Sequence, residues 1–259
     1  MMIKTKLFSS WRGFQLAFFD EGDRLSPVVL LIHGFTSSAK INWFSTGWIE
    51  LLCYHGYRVI AIDNLGHGES DKSQNIDDYN LVFMAADAVS LLDYLGIKSA
   101  LVMGYSMGAR IACSMALFYP SYIQSLVLGG VGSALFDSKV IDWSPVIDAF
   151  LLPSIDDVNC VLGKTFRKFA ESVPGNDLKV LASCLAMTRK LFNRDDLNRI
   201  NVPVLIAVGS KDHIAGSPQD AMVFFPNSRF LNILDKDHML SVGDKQFKQG
   251  VVDFYLNVI

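Results

Sequence analysis

Continuous runs of apolar residues recur along the chain and alternate with stretches of helical periodicity. Six of these runs have the length of a strand and are bounded by Gly, Pro, Asp or Asn: residues 28–32, 59–62, 100–103, 126–128, 204–208 and 230–234. Continuous apolar runs, in contrast to alternating ones, are typical of parallel strands that are buried on both faces. The alternation of such strands with helices predicts an α/β fold with a doubly wound, mostly parallel sheet.

Two of the intervening segments carry a clear apolar stripe at helical spacing. One extends from Leu81 to Leu95 and is followed by Gly96, a residue type that commonly ends helices. The other covers residues 247–258 and is preceded by Asp244, which is a suitable N-cap. We therefore expect a helix in each segment.

A long segment without strand-like runs interrupts this alternation. Between residues 133 and 201 there are instead two helical stripes, at 158–170 and 178–192, with prolines between them. We predict a helical cap at 133–201, inserted into a core formed by 1–132 and 202–259. Such an insertion would overhang the carboxyl ends of the strands, where open α/β sheets bind ligands.

Composition narrows the classes of partner. The 259 residues are 51% apolar and 19% charged, with a net charge of −3 and no basic run that could form a stripe along a helix. A nucleic-acid partner is therefore not expected, whereas a small-molecule substrate is expected. No signal-peptide core and no apolar run of membrane-spanning length occurs, so the default expectation is a cytoplasmic protein. Oligomeric state, monomer or homodimer, is left open.

The stretch with the clearest chemistry is Gly104-Tyr105-Ser106-Met107-Gly108. It follows the apolar run 100–103 and precedes a helix-forming segment that ends before Pro120. In the G-x-S-x-G arrangement a serine occupies a strained strand-to-helix turn, and small residues on both sides let helix and strand cross closely. Ser106 is thus the predicted nucleophile.

A serine nucleophile needs a base, and the base needs an acid that orients it. Asp212 and His238 each follow a predicted late strand, and the chain order Ser, acid, His is the one associated with the nucleophile elbow. We predict His238 as base and Asp212 as acid, with an acid near Asp137 as the alternative. Three rivals are assigned other roles: Asp235 and Asp237 as solvated loop charges, and His213 as a structural or pocket-lining residue.

Neither a metal nor a cofactor is predicted. His33 and His67 lie beside glycines at strand ends, without the spacing of a metal site, and we expect them to fix loops by hydrogen bonds. The turn at Gly66 to Gly68 lacks the pattern of a phosphate-binding loop.

Five motifs occur in a characteristic order: His33-Gly34-Phe35, the stretch 63–70, the Ser106 elbow, the stretch 209–212, and His238. In these motifs the chain resembles the α/β-hydrolase superfamily over essentially its full length. The resemblance implies an oxyanion hole made by the backbone amides of Phe35 and Met107. It also implies hydrolysis of a small or medium carboxylic ester through an acyl-enzyme. A serine at the elbow disfavours the dehalogenase and epoxide-hydrolase branches, which use a carboxylate nucleophile.

Arg110, four residues after Ser106, raises an alternative. Together with the stretch 33–38 and Trp43, the sequence Gly-Tyr-Ser-Met-Gly-Ala-Arg is similar to the menaquinone-pathway (SHCHC) synthase branch, which abstracts a proton and eliminates pyruvate. That similarity implies that Arg110 binds a substrate carboxylate, assisted by cap cations such as Arg167, Arg189 or Lys190. The alternative for Arg110 is a helix residue whose side chain reaches solvent, and Ala109 departs from the glycine common in that branch.

Substrate contacts are predicted at Arg110, Tyr105, Trp143 and Trp43, with further apolar candidates at Phe35, Phe136, Phe150 and Met239. Carbon–carbon bond hydrolysis and a non-enzymatic ligand-binding role are the remaining alternatives.

Overall fold

The computed structural model describes residues 4–258 and is built around a sheet of eight strands. In chain order these are β1 (Lys6–Ser9), β2 (Gln15–Glu21), β3 (Val28–Ile32), β4 (Arg58–Ile62), β5 (Ala100–Tyr105), β6 (Ile123–Gly129), β7 (Val204–Gly209) and β8 (Ser228–Ile233). Their order across the sheet is β1-β2-β4-β3-β5-β6-β7-β8. The pairings β1 with β2 and β2 with β4 are antiparallel, and the others are parallel. The predicted doubly wound, mostly parallel sheet is confirmed.

Each of the six apolar runs coincides with one of the strands β3 to β8, but the sheet begins with two strands that were not predicted. β1 lies at the sheet edge, where a strand has alternating burial and needs no continuous apolar run. The polar residues that follow it form the turn to β2, in which the Ser10 amide donates to the Phe14 carbonyl and Gly13 has a φ of 86°. β2 itself contains four consecutive buried apolar residues, 16–19, so only β1 lacks the pattern of an apolar run.

The nine helices of residues 4–258 that have α geometry are α1 (Trp48–Tyr54), α2 (Leu81–Tyr94), α3 (Met107–Phe118), α4 (Ser144–Leu151), α5 (Val161–Ser172), α6 (Leu178–Thr188), α7 (Arg194–Leu197), α8 (Pro218–Met222) and α9 (Lys245–Leu256). The predictions for α2 and α9 are confirmed. Gly96 follows α2 with a φ of 69°, and the Asp244 carboxylate accepts the Gln246 amide at the start of α9. None of the helices in this part of the chain has the length and apolarity needed to cross a membrane.

Helices cover both faces of the sheet, and β3 shows how the sequence produces this. Leu30 and Ile32 pack into a core with α2 and α3, whereas Val29 and Leu31 pack into a second core with α1 and α9. Successive side chains of a strand point to opposite faces, so a strand buried on both must be apolar throughout.

The segment between β6 and β7 contains α4 to α7, and the division of the chain into core and cap stays a prediction. The two predicted stripes there are only partly helical. Val158 is buried but precedes α5, because the backbone is extended after a short turn capped by Ser154. Val161, counted in the same stripe, is 80% exposed. Phe192 lies beyond the end of α6.

Candidate active site

Ser106 occupies a sharp turn between β5 and α3. Its φ of 54° and ψ of −109° are unusual for a residue with a side chain, and its amide donates to the Gly129 carbonyl at 2.7 Å. A methyl group on Gly104 would overlap the Gly108 carbonyl, and one on Gly108 would overlap the Ile32 carbonyl. The two glycines are therefore what allows α3 to begin so close to the strands.

The side chains of Ser106, His238 and Asp212 form a continuous hydrogen-bonded chain. His238 Nε2 lies 2.9 Å from Ser106 Oγ, and His238 Nδ1 lies 2.8 Å from Asp212 Oδ2. The Asp212 side chain is fully buried, and the other two residues are 5% exposed. With Nδ1 protonated and facing the carboxylate, Nε2 is free to accept the serine proton.

Further hydrogen bonds hold the acid and the histidine in place. Asp212 Oδ1 accepts the amides of Ile214 and Ala215 at 2.9 and 3.0 Å, so both carboxylate oxygens are used. The Tyr105 hydroxyl donates to the His238 carbonyl at 2.6 Å. Tyr105 therefore positions the histidine backbone from the residue next to the nucleophile.

The rival residues have other partners. Asp235 pairs with Lys211 at 2.9 Å and is exposed. Asp237 accepts the amides of Met239 and Leu240, and Asp137 accepts the Lys139 amide. His213 is exposed.

The backbone amides of Phe35 and Met107 have no hydrogen-bond partner within residues 4–258. Met107 is the first residue of α3, where the helix dipole favours negative charge. Phe35 follows β3, and its side chain packs against Phe150 and Phe166 of the predicted cap, with ring centroids 5.5 and 6.0 Å away.

The loop that carries Phe35 is fixed by His33, as expected. His33 Nδ1 lies 2.7 Å from the Gly34 carbonyl, and Nε2 accepts the Asn64 amide at 3.0 Å. Burial lowers the pKa of His33 to about 4, so the ring is neutral at neutral pH and can both donate and accept. His67 is also buried, with Nδ1 3.1 Å from the Leu65 carbonyl and a pKa lowered to about 3.

No group of three His, Cys, Asp or Glu side chains in the described part of the chain is arranged to hold a metal ion.

A cavity of about 290 Å³ opens beside the serine. Ser106, Tyr105 and His238 line it, and most of the remaining wall is apolar: Phe35, Ile41, Phe166, Phe169, Met239 and Val242. The lining includes no lysine or arginine. Phe166 and Phe169 were visible in the sequence only as part of the 158–170 stripe, which does not reveal which helix face meets the core and which meets the cavity.

The structure does not bring Arg110 into this cavity. Arg110 is buried and donates to the backbone carbonyls of Lys190, at 3.2 Å, and Ala134. Burial lowers its pKa to about 10. Its guanidinium thus joins α3 to both ends of the predicted cap.

Neither predicted tryptophan contact lines the cavity. Trp43 is completely buried against Trp48, in the core that also contains α1 and α9. Trp143 packs against Phe166, with ring centroids 5.9 Å apart, and the Arg189 guanidinium lies 3.8 Å from the centroid of the Trp143 ring. An aromatic residue near a motif in sequence can still face the core, since its direction depends on tertiary packing.

The sequence is similar to those of several known proteins. The sequence profile of the alpha/beta hydrolase fold family matches residues 27–154. The Bacillus subtilis (strain 168) protein named "Putative 2-succinyl-6-hydroxy-2,4-cyclohexadiene-1-carboxylate synthase" is 40% identical over 271 aligned positions, covering 95% of this chain and 96% of that protein. Bifunctional epoxide hydrolase 2 of Sus scrofa is 36% identical over 115 residues, or 44% of this chain. The match spans only 20% of the pig protein's length.

Solved structures share the fold over the whole chain. A carboxylesterase structure from Nitrososphaera gargenis has a TM-score of 0.82 at 18% identity and covers 98% of both chains. A hydrolase structure from Pseudomonas aeruginosa has a TM-score of 0.78 at 20% identity, covering 98% of this chain and 97% of that one. At such identities the likeness concerns the fold alone.

Proposed function

The chain belongs to the alpha/beta hydrolase fold family, and we propose that it is a serine hydrolase that cleaves a small or medium-sized carboxylic ester. The observation that carries this proposal is the hydrogen-bonded chain from Ser106 through His238 to Asp212, at the wall of an apolar cavity. Hydrogen bonds of 2.9 and 2.8 Å are within the range required for proton transfer between catalytic groups.

In the proposed first step, His238 Nε2 takes the hydroxyl proton of Ser106 as Oγ attacks the ester carbonyl. Asp212 stabilises the resulting imidazolium through the Nδ1 hydrogen bond and remains ionised. His238 then returns the proton to the alcohol oxygen, which leaves, and the acyl group stays on Ser106. Water, activated by the same histidine, releases the acid in the second step.

The amides of Phe35 and Met107 are proposed to bind the oxyanion that forms during both steps. They flank the nucleophile and have no partner in residues 4–258, so they need not break a bond when negative charge develops. Each such donor stabilises the transition state by about 3 kcal/mol.

The cavity supports a substrate of modest size with an apolar acyl or alcohol part. Its volume of about 290 Å³ suits a small ligand, and its wall is largely aromatic and aliphatic.

The proposal is tested with purified protein, p-nitrophenyl butyrate and a fluorophosphonate probe. We expect hydrolysis and covalent labelling of the wild type, and neither in Ser106→Ala. Ser114→Ala, a buried serine further along α3, is the matched control and should keep both activities. Wild-type protein that is folded yet neither hydrolyses the ester nor accepts the probe would refute the proposal.

A second candidate is elimination of pyruvate by a synthase-like reaction, favoured by the 40% identity to the Bacillus subtilis protein. In that case Arg110 would have to exchange its two carbonyl partners for a substrate carboxylate. Incubation with the synthase substrate and assay of released pyruvate distinguishes the two. Pyruvate release that is lost in Arg110→Met, without ester hydrolysis by the wild type, would favour this candidate.

A further inference from the structure

The loop that carries the Phe35 amide contains a strained residue. Thr36 has a φ of 61°, in the left-handed region that a β-branched residue rarely adopts. It is completely buried, and its hydroxyl donates to the Phe35 carbonyl at 2.6 Å. A conformation of this kind persists only where surrounding contacts impose it, and it is frequent at functional sites.

One of these contacts comes from the predicted cap. Asn176, in the loop between α5 and α6, donates from Nδ2 to the Thr36 carbonyl at 3.1 Å and to the Ala170 carbonyl at 3.2 Å. Both neighbours are acceptors, so the amide nitrogen must be the group that faces them. Asn176 therefore connects the end of α5 to the strained residue beside Phe35.

The same part of the cap also reaches the second proposed oxyanion donor. Cys184 of α6 places its Sγ 3.6 Å from the Sδ of Met107, and both side chains are completely buried. Residues 176–184 thus contact the segments on both sides of the site where the oxyanion would form.

We propose that Asn176 is a positioning residue of the oxyanion hole. This inference rests on the proposed function and extends it, because it makes the cap a part of the transition-state machinery. Without the Asn176 donor, the Thr36 carbonyl loses its cap partner and Thr36 relaxes from its strained conformation. The adjoining Phe35 amide then shifts from the position that the oxyanion requires.

This displacement should affect kcat much more than KM. The ground-state carbonyl needs little from the Phe35 amide, whereas the tetrahedral intermediate depends on it. A misplacement of about 1 Å can cost about 10²-fold in rate. We expect a kcat loss of about 10-fold to 100-fold in Asn176→Ala, with KM within about twofold of the wild type.

The experiment measures kcat and KM for p-nitrophenyl butyrate and the rate of inactivation by the fluorophosphonate probe, alongside thermal unfolding. Asn198→Ala is the matched control, because Asn198 is an exposed asparagine of the same insertion whose side chain makes no hydrogen bond within residues 4–258. The inactivation rate of Asn176→Ala should fall in parallel with kcat, since the phosphoryl oxygen uses the same donors. The control should match the wild type.

A rescue separates positioning from a purely structural role. Glycine adopts positive φ without strain, so the Thr36→Gly background removes the tendency of the loop to relax. The fold-loss in kcat caused by Asn176→Ala should be smaller in that background. An equal fold-loss there, or a wild-type kcat in Asn176→Ala, would overturn the positioning role alone. A wild type that neither hydrolyses nor labels would overturn the proposed function together with it.

Discussion

Substitution of Asp212 by asparagine should stop the reaction while leaving the fold in place. Asp212 Oδ1 accepts two backbone amides, those of Ile214 and Ala215, and Oδ2 accepts His238 Nδ1–H. In Asp212→Asn the side-chain oxygen should accept the two backbone N–H groups, because an NH₂ group at that position would face two other donors. The NH₂ group then faces Nδ1 of the imidazole. Nδ1 must be unprotonated to accept this hydrogen bond, so the ring carries its proton on Nε2.

With that tautomer, Nε2 cannot take the proton of Ser106, 2.9 Å away. A wrong tautomer in an arrangement of this kind lowers kcat by about 10⁴-fold, or about 5 kcal/mol of transition-state stabilisation. The free energy of unfolding should fall by no more than about 2 kcal/mol, because both backbone amides keep an acceptor. Asp212→Ala, in contrast, leaves both amides unpaired at about 1–3 kcal/mol each.

The assay combines ester hydrolysis with urea unfolding. Asp237→Asn is the control, because Asp237 likewise accepts two amides, those of Met239 and Leu240, but is exposed and makes no hydrogen bond to the His238 ring within residues 4–258. We expect full activity in this control. If Asp212→Asn kept kcat within tenfold of the wild type, the tautomer argument, and Asp212 as the acid, would be refuted.

Two further predictions concern stability. Gly108→Ala should lower the free energy of unfolding by about 3 kcal/mol or more, because the added methyl group would overlap the Ile32 carbonyl. In the same urea assay Gly243→Ala is the control and should change the free energy of unfolding little, because its methyl group would meet only a Thr46 side chain, at 3.3 Å. His33 and His67 are buried and neutral, and burial lowers their pKa values from the ordinary 6.5 to about 4 and about 3. At any pH below about 6.5, unfolding therefore makes both histidines take up protons. Stability should therefore fall as the pH drops from about 6.5 to about 4, by about 1.4 kcal/mol per pH unit for each histidine. A urea series that showed no pH dependence in this window, or no shallower slope in His67→Asn, would contradict this.

Most strands and the elbow were predictable because each has a local pattern in the sequence. A strand buried on both faces must be largely apolar, so β3 to β7 are visible as runs in the sequence, and the edge strand β8, although only partly buried, also carries such a run. β1 escaped this criterion because burial along this edge strand alternates, whereas β2 was missed although it contains the buried apolar run 16–19. The elbow is likewise recognisable from five consecutive residues, although the close approach that Gly108 permits is to the Ile32 carbonyl of β3.

The relation of the three active-site side chains was also predictable in outline. Parallel strands end at the same edge of the sheet, so residues that follow β5, β7 and β8 meet there whatever the sequence between them. The hydrogen-bonded chain through Ser106, His238 and Asp212 agrees with that expectation, although its catalytic role remains a proposal.

Only the tertiary structure decides which residues surround the hydrogen-bonded active-site residues. Arg110 looks in sequence like a substrate contact, yet in the fold it donates to two backbone carbonyls of residues 133–201. Trp43 follows the Phe35 loop in sequence but packs into the core. Asn176 carries no motif at all, and its contact with Thr36 joins residues 140 positions apart. The contacts of Arg110 and Asn176 depend on how the helices of 133–201 dock on the sheet, which no local periodicity encodes.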